Sequence, residues 1–388
     1  MKRRVMALLL AGTMVFGLGV SAMAEEAEPI RIGFFCPESA PSAAADGQSS
    51  RQSAELAVKM INDAGGINGA QVELVAYDDG LDTKEAANIG EKLTTADDVV
   101  AVVSGSYSGP TKVVAPICQD SDMLMVSAYA VHPDVVNAGD LIFSQSFPGS
   151  VQGTAAGEFA ANTLGAKKVA IVAVDLDFGT EQATYFKAQA YKYGMEIVSE
   201  DYIAISDNDM TSVITKIKDE DVDLIYSVNY YEQASEVCRQ AALQGLDCAI
   251  LGTEGADSWQ LLETAGEYAN GLYITTNMNR DDENANTQAY IDNYRAEYNM
   301  EPDMVGASVY DAFQVLFTAI ENVGTDTQAM KDYIAGMKDY DTVTGKLLYY
   351  NASGSAVKPV QVQQVVDGEY HFAATIDDEA IIDPANFE

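Results

Sequence analysis

Residues 104 to 110 read SGSYSGP, which puts four hydroxyl side chains (Ser104, Ser106, Tyr107 and Ser108) and two glycines into seven positions. Glycine lets a backbone approach a bound group closely, and Pro110 favours the first turn of a helix. The free N–H groups and positive end of such a helix attract a carboxylate, to which serine hydroxyls add hydrogen bonds. Ser108 stands in the natural position for that contact; the same side chain is also suited to capping its own helix. Five further loops carry related chemistry. Residues 36–47 hold Asp46, 128–133 hold Tyr129 and Ala130, and 175–180 hold Asp175, Asp177 and Phe178. Residues 229–231 read Asn-Tyr-Tyr with Tyr230 at the centre, and 253–257 hold Glu254. Acids, hydroxyls and aromatic rings brought together suit a small solute with polar ends.

A catalytic reading fares worse. GSYSG resembles the nucleophile elbow G-x-S-x-G, but its central residue is Tyr107. A serine relay would have to recruit His132 or His371, the two histidines of the chain, and neither is suitably spaced. DDGLD (78–82) and DLDFG (175–179) each match part of a calcium loop without its distant Glu, and are read as turns and caps. GGINGA lacks the dinucleotide spacing and follows a helix, so it is read as a turn. With two histidines and no C-x-x-C, a zinc site is not expected. No cofactor is expected, and the chain is read as a binder rather than an enzyme.

These loops require strands and helices to hold them. Strand candidates are IRIGFF (30–35), QVELVAY (71–77), VVAVVS (99–104), MLMVS (123–127), KVAIVAV (168–174), EIVSEDYI (196–203), DLIYSV (223–228) and AILGT (249–253). Most are Val/Ile-rich and nearly continuous in apolar character, as strands covered on both faces are. Between them lie amphipathic helices such as SAELAVKMINDAGG, with Ala54, Ala57, Val58 and Ile61 on one face and Gly65-Gly66 at the end. Strands alternating with helices predict α/β lobes with doubly wound parallel sheets, and ligands in such sheets bind beyond the carboxyl ends of the strands. LIFSQSFPGS (141–150) and GLYITTNMNRDDENAN (271–286) read as seams, with helices expected near 287–298, 307–322 and 327–338. The segment from Gly345 to Phe372 returns to strand character with a Gly/Ser turn, as a closing hairpin does.

The chain of 388 residues carries 59 acidic against 22 basic side chains, a formal charge of -37. Such a surface repels phosphate backbones, which excludes nucleic acid as a partner, and it serves solubility. MKRR, an apolar run and the small-residue signal AMA make residues 1–24 a secretory signal peptide, so a periplasmic or extracellular location is expected. Export permits disulfides, and Cys36, Cys118, Cys238 and Cys248 allow three pairings.

AELAVKMINDAGGINGAQVELVAYDD, then VSGSYSGPTKVVAPICQDSDMLMVSAYAVHP, then YYEQASEVCRQAALQGL followed by LGTEG, resemble in order the Leu/Ile/Val-binding protein family. These are type I periplasmic solute-binding proteins of ABC transporters, and the resemblance runs from about residue 30 to about residue 372. It implies two lobes joined by a three-crossing hinge: residues 30–145 with 278–345 as lobe one, 146–277 with 346–375 as lobe two, and 376–388 as a C-terminal tail. It also implies a monomer that delivers its solute to an ABC transporter permease. By the resemblance Ser108 holds a carboxylate and Glu254 an ammonium group. Val131 stands where the family often has Ser or Thr, Phe178 where it often has Tyr, and Asp46 where it has an aromatic residue. Those departures favour a more polar or amine-bearing solute. Tyr107, Tyr129 and Tyr230 then serve as walls, while Asp175 is either a cap or a ligand. The same fold could instead report a solute to a signalling partner; an exported hydrolase is the remote alternative.

Overall fold

The computed structural model describes residues 28–387; the expected signal peptide, 1–24, lies outside them. A first sheet is built from β1 (Ile30–Cys36), β2 (Val72–Asp78), β3 (Ala101–Ser104), β4 (Met125–Ser127) and β5 (Ile142–Ser144). Its order is β2-β1-β3-β4-β5 and all its pairings are parallel. Helices α1 (Ala44–Asp63), α2 (Thr83–Thr95) and α3 (Ser108–Asp120) connect its first four strands. The period of two along each strand divides its apolar residues between two cores. Ile32, Phe34, Val103 and Val126 join the core that includes α1, whereas Phe35, Val102 and Met125 join the one formed with α2 and α3.

The second half begins with α4 (Gly149–Asn162) and continues β6 (Lys168–Val174), α5 (Asp177–Lys192), β7 (Glu196–Ile203), α6 (Thr211–Lys218), β8 (Leu224–Val228), α7 (Tyr231–Leu243), β9 (Ala249–Gly252), α8 (Trp259–Ala265) and β10 (Tyr273–Thr276). After α9 (Ala285–Tyr298), α10 (Met304–Val323) and α11 (Thr327–Ala335), a small antiparallel sheet follows: β11 (Lys338–Thr342), β12 (Gly345–Tyr350) and β13 (Ala356–Val357). The chain then makes the hairpin β14 (Val360–Val366) and β15 (Glu369–Ile376), and ends near α12 (Glu379–Ile382). The second sheet has the order β15-β14-β10-β9-β8-β6-β7, parallel except where the hairpin adds antiparallel strands to its edge. Again the strand faces divide: Val169, Ile171 and Ala173 pack with α4 and α5, Ala170 and Val172 with α6 and α7.

Both sheets are doubly wound, and in each the strand order reverses next to its first strand, between β1 and β3 and between β6 and β8. The loops after these strands therefore diverge to opposite faces and leave a crevice at the strand tips. The chain passes between the sheets three times, after β5, after β10 and between β13 and β14. Side chains stitch the passages together. Asn277 Nδ2 donates to Ser146 Oγ at 2.9 Å, and Tyr350 OH donates to Gln145 Oε1 at 2.7 Å. Leu347, Tyr350 and Ala356 pack into the first core, and Val357 and Val360 into the second, so the third passage falls between Ala356 and Val360.

Both seams contain a strand that their loss of pattern conceals: β5 has three residues and β10 four, too short to show a period. Helix α1 starts nine residues before the expected run that begins at Ser53, because Asp46, Gly47, Ser49 and Ser50 are buried small or polar residues rather than an exposed loop. GGINGA is a tight turn as expected: Gly66 has φ +76°, and a Cβ there would meet Ala70 O at 2.0 Å. The four cysteines are free thiols. Burial pushes the Cys118 and Cys238 thiols up to about 12, which keeps them unreactive.

Candidate functional site

A cavity of about 460 Å³ opens at the two switch points. Of the eleven residues singled out from sequence, nine line it: Asp46, Tyr107, Ser108, Tyr129, Val131, Asp175, Phe178, Tyr230 and Glu254. The other two do not reach it. Ser106 is fully buried, and Ala130 points into the core of α2 and α3.

Ser108 does not cap its helix. The residue before α3 is Tyr107, and no side chain caps that end. Ser108 Oγ instead accepts from the backbone N–H groups of Val131 (3.2 Å) and His132 (3.3 Å), which ties the loop after β3 to the loop after β4. Two accepted bonds use both lone pairs of a hydroxyl, so its proton is left to donate. Beside it the first turn of α3 presents N–H groups, and Pro110 sits in that turn, where its missing N–H costs nothing. The result is an acceptor-binding wall.

The second lobe supplies the opposite character. Glu254 opens a single 3-10 turn after β9 and is 4% exposed. Its Oε1 accepts from Gln152 Nε2 at 2.6 Å and Gln182 Nε2 at 3.1 Å, while Oε2 has no partner among the described residues. Burial pushes its pKa up to about 8, against the opposing effect of nearby hydrogen bonds. Asp46, in the first turn of α1, accepts from Tyr107 OH at 2.6 Å; burial and the nearby Asp303 push it up to about 7. Among the described residues, no lysine or arginine lines the cavity. Carboxylates held this way lack the cation that would repay their desolvation.

Aromatic rings join the walls. Tyr107 from the first lobe stacks on Tyr230 from the second at 4.9 Å and 4°, and Tyr230 stacks on Phe178 at 4.9 Å and 18°. Tyr129 is anchored by donating to Gly105 O at 2.6 Å. A Cβ on Gly255 would meet Phe178 at 2.9 Å, so glycine there lets the rings lie against the Glu254 turn. At the rim, Lys112 of α3 pairs with Asp177 of α5 across the cleft. Asp175 is exposed at the mouth and is not a cap, since α5 starts after Leu176 without a side-chain cap bond. In DDGLD, by contrast, Asp82 does cap α2 through Lys84 N and Glu85 N.

Sequence reasoning missed Gln152 and Gln182, which orient Glu254, and also Leu81, Met304 and Val305 on the cavity wall. Two buried glutamines on Ala- and Gly-rich helices were the available signal. Met304 and Val305 belong to the first turn of α10, which starts three residues before the expected helix.

The family described as periplasmic binding protein matches residues 29–369. The chain belongs to that family of solute-binding proteins. Among its relatives, the leucine-, isoleucine-, valine-, threonine- and alanine-binding protein of Pseudomonas aeruginosa is 29% identical over 342 residues, 87% of this chain and 90% of that protein. The Leu/Ile/Val-binding protein of Escherichia coli is 28% identical over 344 residues, 88% of this chain and 91% of that one. A solved structure, the branched-chain amino acid transporter substrate binding protein of Streptococcus pneumoniae in complex with isoleucine, superposes with a TM-score of 0.82. It is 31% identical and covers 90% of this chain and 99% of its own. An ABC transporter solute binding protein of Rhodopseudomonas palustris in complex with 3,4-dihydroxy benzoic acid has a TM-score of 0.83 at 21% identity, covering 92% and 99%. One fold thus carries ligands of different chemistry, and the cavity residues must decide.

Proposed function

We propose that this protein captures an α-amino acid in the cleft between its lobes, closes over it by a hinge motion, and delivers it to an ABC transporter permease. The observation that carries the reading is Glu254: a carboxyl group 4% exposed, at the cavity, with one oxygen unpartnered. An ammonium group supplies what that oxygen lacks. The proton-donating hydroxyl of Ser108 and the first turn of α3 offer the complementary seat for a carboxylate. Amino-acid ligands in the names of the relatives support this assignment.

We divide the lobes at the three passages between the sheets, taking the third between Ala356 and Val360 in place of the boundary expected at 345–346. Ser108 Oγ accepts from two backbone amides, which supports a part in holding a ligand over that of a nucleophile. The signal-peptide character of residues 1–24 supports export, with the mature chain acting outside the cytoplasmic membrane as a monomer.

The test is a thermal-shift and calorimetric screen of the mature protein against the α-amino acids, followed by Glu254→Gln on the best binder. Micromolar binding is expected, with stabilisation that grows as RT ln(1 + [L]/Kd). Losing one member of a buried charged pair costs about 2–5 kcal/mol of affinity. Unchanged affinity in the variant would refute the ammonium contact.

A further inference from the structure

Resting on that reading, we propose that the solute is an α-amino acid with a second cationic group at the end of its side chain, and that Asp46 is the residue that selects it. Three observations on the cavity carry this. First, its charged lining consists of carboxylates alone: Asp46, Glu254 and, at the mouth, Asp175 and Asp177. Asp177 already has Lys112 as a partner; among the described residues Asp46 and Glu254 have no cation. A zwitterion with an apolar side chain neutralises one of these two buried acids and leaves the other unmatched.

Second, Asp46 is 8% exposed and its hydrogen bonding is half complete. Oδ2 accepts from Tyr107 OH, and among the described residues Oδ1 accepts no hydrogen bond. Covering that oxygen with a methyl or methylene group would strip its remaining water without replacing it, a costly exchange. An ammonium or guanidinium group replaces the water with a charge-assisted bond.

Third, the two acids stand on different lobes, one after β1 and one after β9, so the cavity is acidic at two places rather than one. Between them run the stacked rings of Tyr107, Tyr230 and Phe178. Aromatic faces pack well on the methylene stem of a long side chain and attract a cation. The Ser108 seat keeps the requirement for a carboxylate.

The experiment compares lysine with norleucine, which has the same straight side chain without the amine, and with cadaverine, which keeps both amines but lacks the carboxylate. Titration calorimetry at pH 8 on the mature wild type should give lysine, ornithine or arginine at least tenfold tighter binding than norleucine and leucine, and cadaverine at least tenfold weaker binding than lysine. In Asp46→Asn the preference for lysine over norleucine should collapse to less than threefold. Because wild-type ranking is decisive by itself, a variant that failed to fold would not rescue the proposal; the melting curve without ligand reports its folding. Norleucine or leucine equal to or tighter than lysine would overturn the inference while leaving the amino-acid receptor intact, provided Glu254→Gln still abolishes that binding. Cadaverine equal to lysine would also overturn it, by removing the carboxylate. Absence of binding by every α-amino acid would refute both readings.

Discussion

Glu254 and Asp257 lie three residues apart on one short turn, both almost wholly buried, yet they are treated in opposite ways. Asp257 accepts from the Arg280 guanidinium and from Thr276 Oγ1, and Arg280 in turn lies 4.6 Å from the Tyr370 ring centroid. Among the described residues, Glu254 receives side-chain hydrogen bonds from two neutral amides, and its Oε2 has no partner. The chain therefore supplies a cation for the acid that holds the turn in place and withholds one from the acid that faces the cavity. A second pairing follows the structural pattern: Asp311, raised by burial, accepts from the N–H groups of Val343 and Thr344, and Lys358, whose Nζ bonds Thr344, opposes that rise. Among Asp257, Asp311 and Glu254, an internal cation accompanies the two that brace the fold and not the one that faces the cavity, while the buried Asp79 and Asp303 are held by N–H and hydroxyl donors.

That contrast can be broken most severely at Arg280. Arg280→Met leaves Asp257 buried and unpaired, and should destabilise the protein by about 3–5 kcal/mol in urea unfolding. Glu254→Gln, which removes an unpaired charge, should leave the melting temperature of the ligand-free protein equal or higher. Equal losses in the two variants would abolish the distinction.

The next effect is with pH. Asp46 rises from 3.8 to about 7 and Glu254 from 4.5 to about 8, chiefly because burial penalises their charged forms. Asp303 and Tyr107 also act on Asp46, as do Gln182, Asp257 and Glu181 on Glu254. Since folding raises both values, the stability these groups contribute is complete below pH 4 and is lost as pH climbs through 7 and 8. Cationic solute binds their ionised forms, so its affinity changes in the opposite direction. Ligand-induced stabilisation should be small at pH 5.5 and large at 8.5, with affinity rising by up to about tenfold per pH unit for each group. Calorimetry near pH 7 in buffers of different ionisation enthalpy should detect proton release on binding; proton uptake would contradict the sign.

The mildest test is at the rim. Lys112 pairs with Asp177 across the cleft while a quarter of its side chain remains in water, so the pair contributes at most about 1 kcal/mol to closure and is screened by salt. Lys112→Met should raise the solute off-rate by no more than about fivefold, an effect that fades at 1 M salt. A larger change in stopped-flow release would make the rim pair part of the binding wall.

Much of this was legible in the sequence because near-continuous apolar strands and polar-faced helices are local patterns. Strand tips then select loops, and those loops contain Glu254, Tyr230 and Ser108. Their partners were not, because they come from distant segments: Gln152 lies 102 residues and Gln182 72 residues from Glu254. Ser108 shows the same limit. Its position was readable, but its choice of the Val131 and His132 amides over its own helix depends on how β4 sits beside β3. β5 and β10 escaped because three or four residues cannot display a period, and they are fixed as strands by the neighbours they pair with.

The ring stack has a further consequence for the receptor when it is empty. Separating the lobes must peel Tyr107 from Tyr230, forfeiting a contact of about 0.5–1.5 kcal/mol beyond the area it buries. The vacant molecule therefore visits the shut shape more often by roughly two- to twelvefold than it would with an aliphatic residue in that place. A transporter that docks on shut receptors meets some without cargo, and this single ring pair sets a floor under its idling.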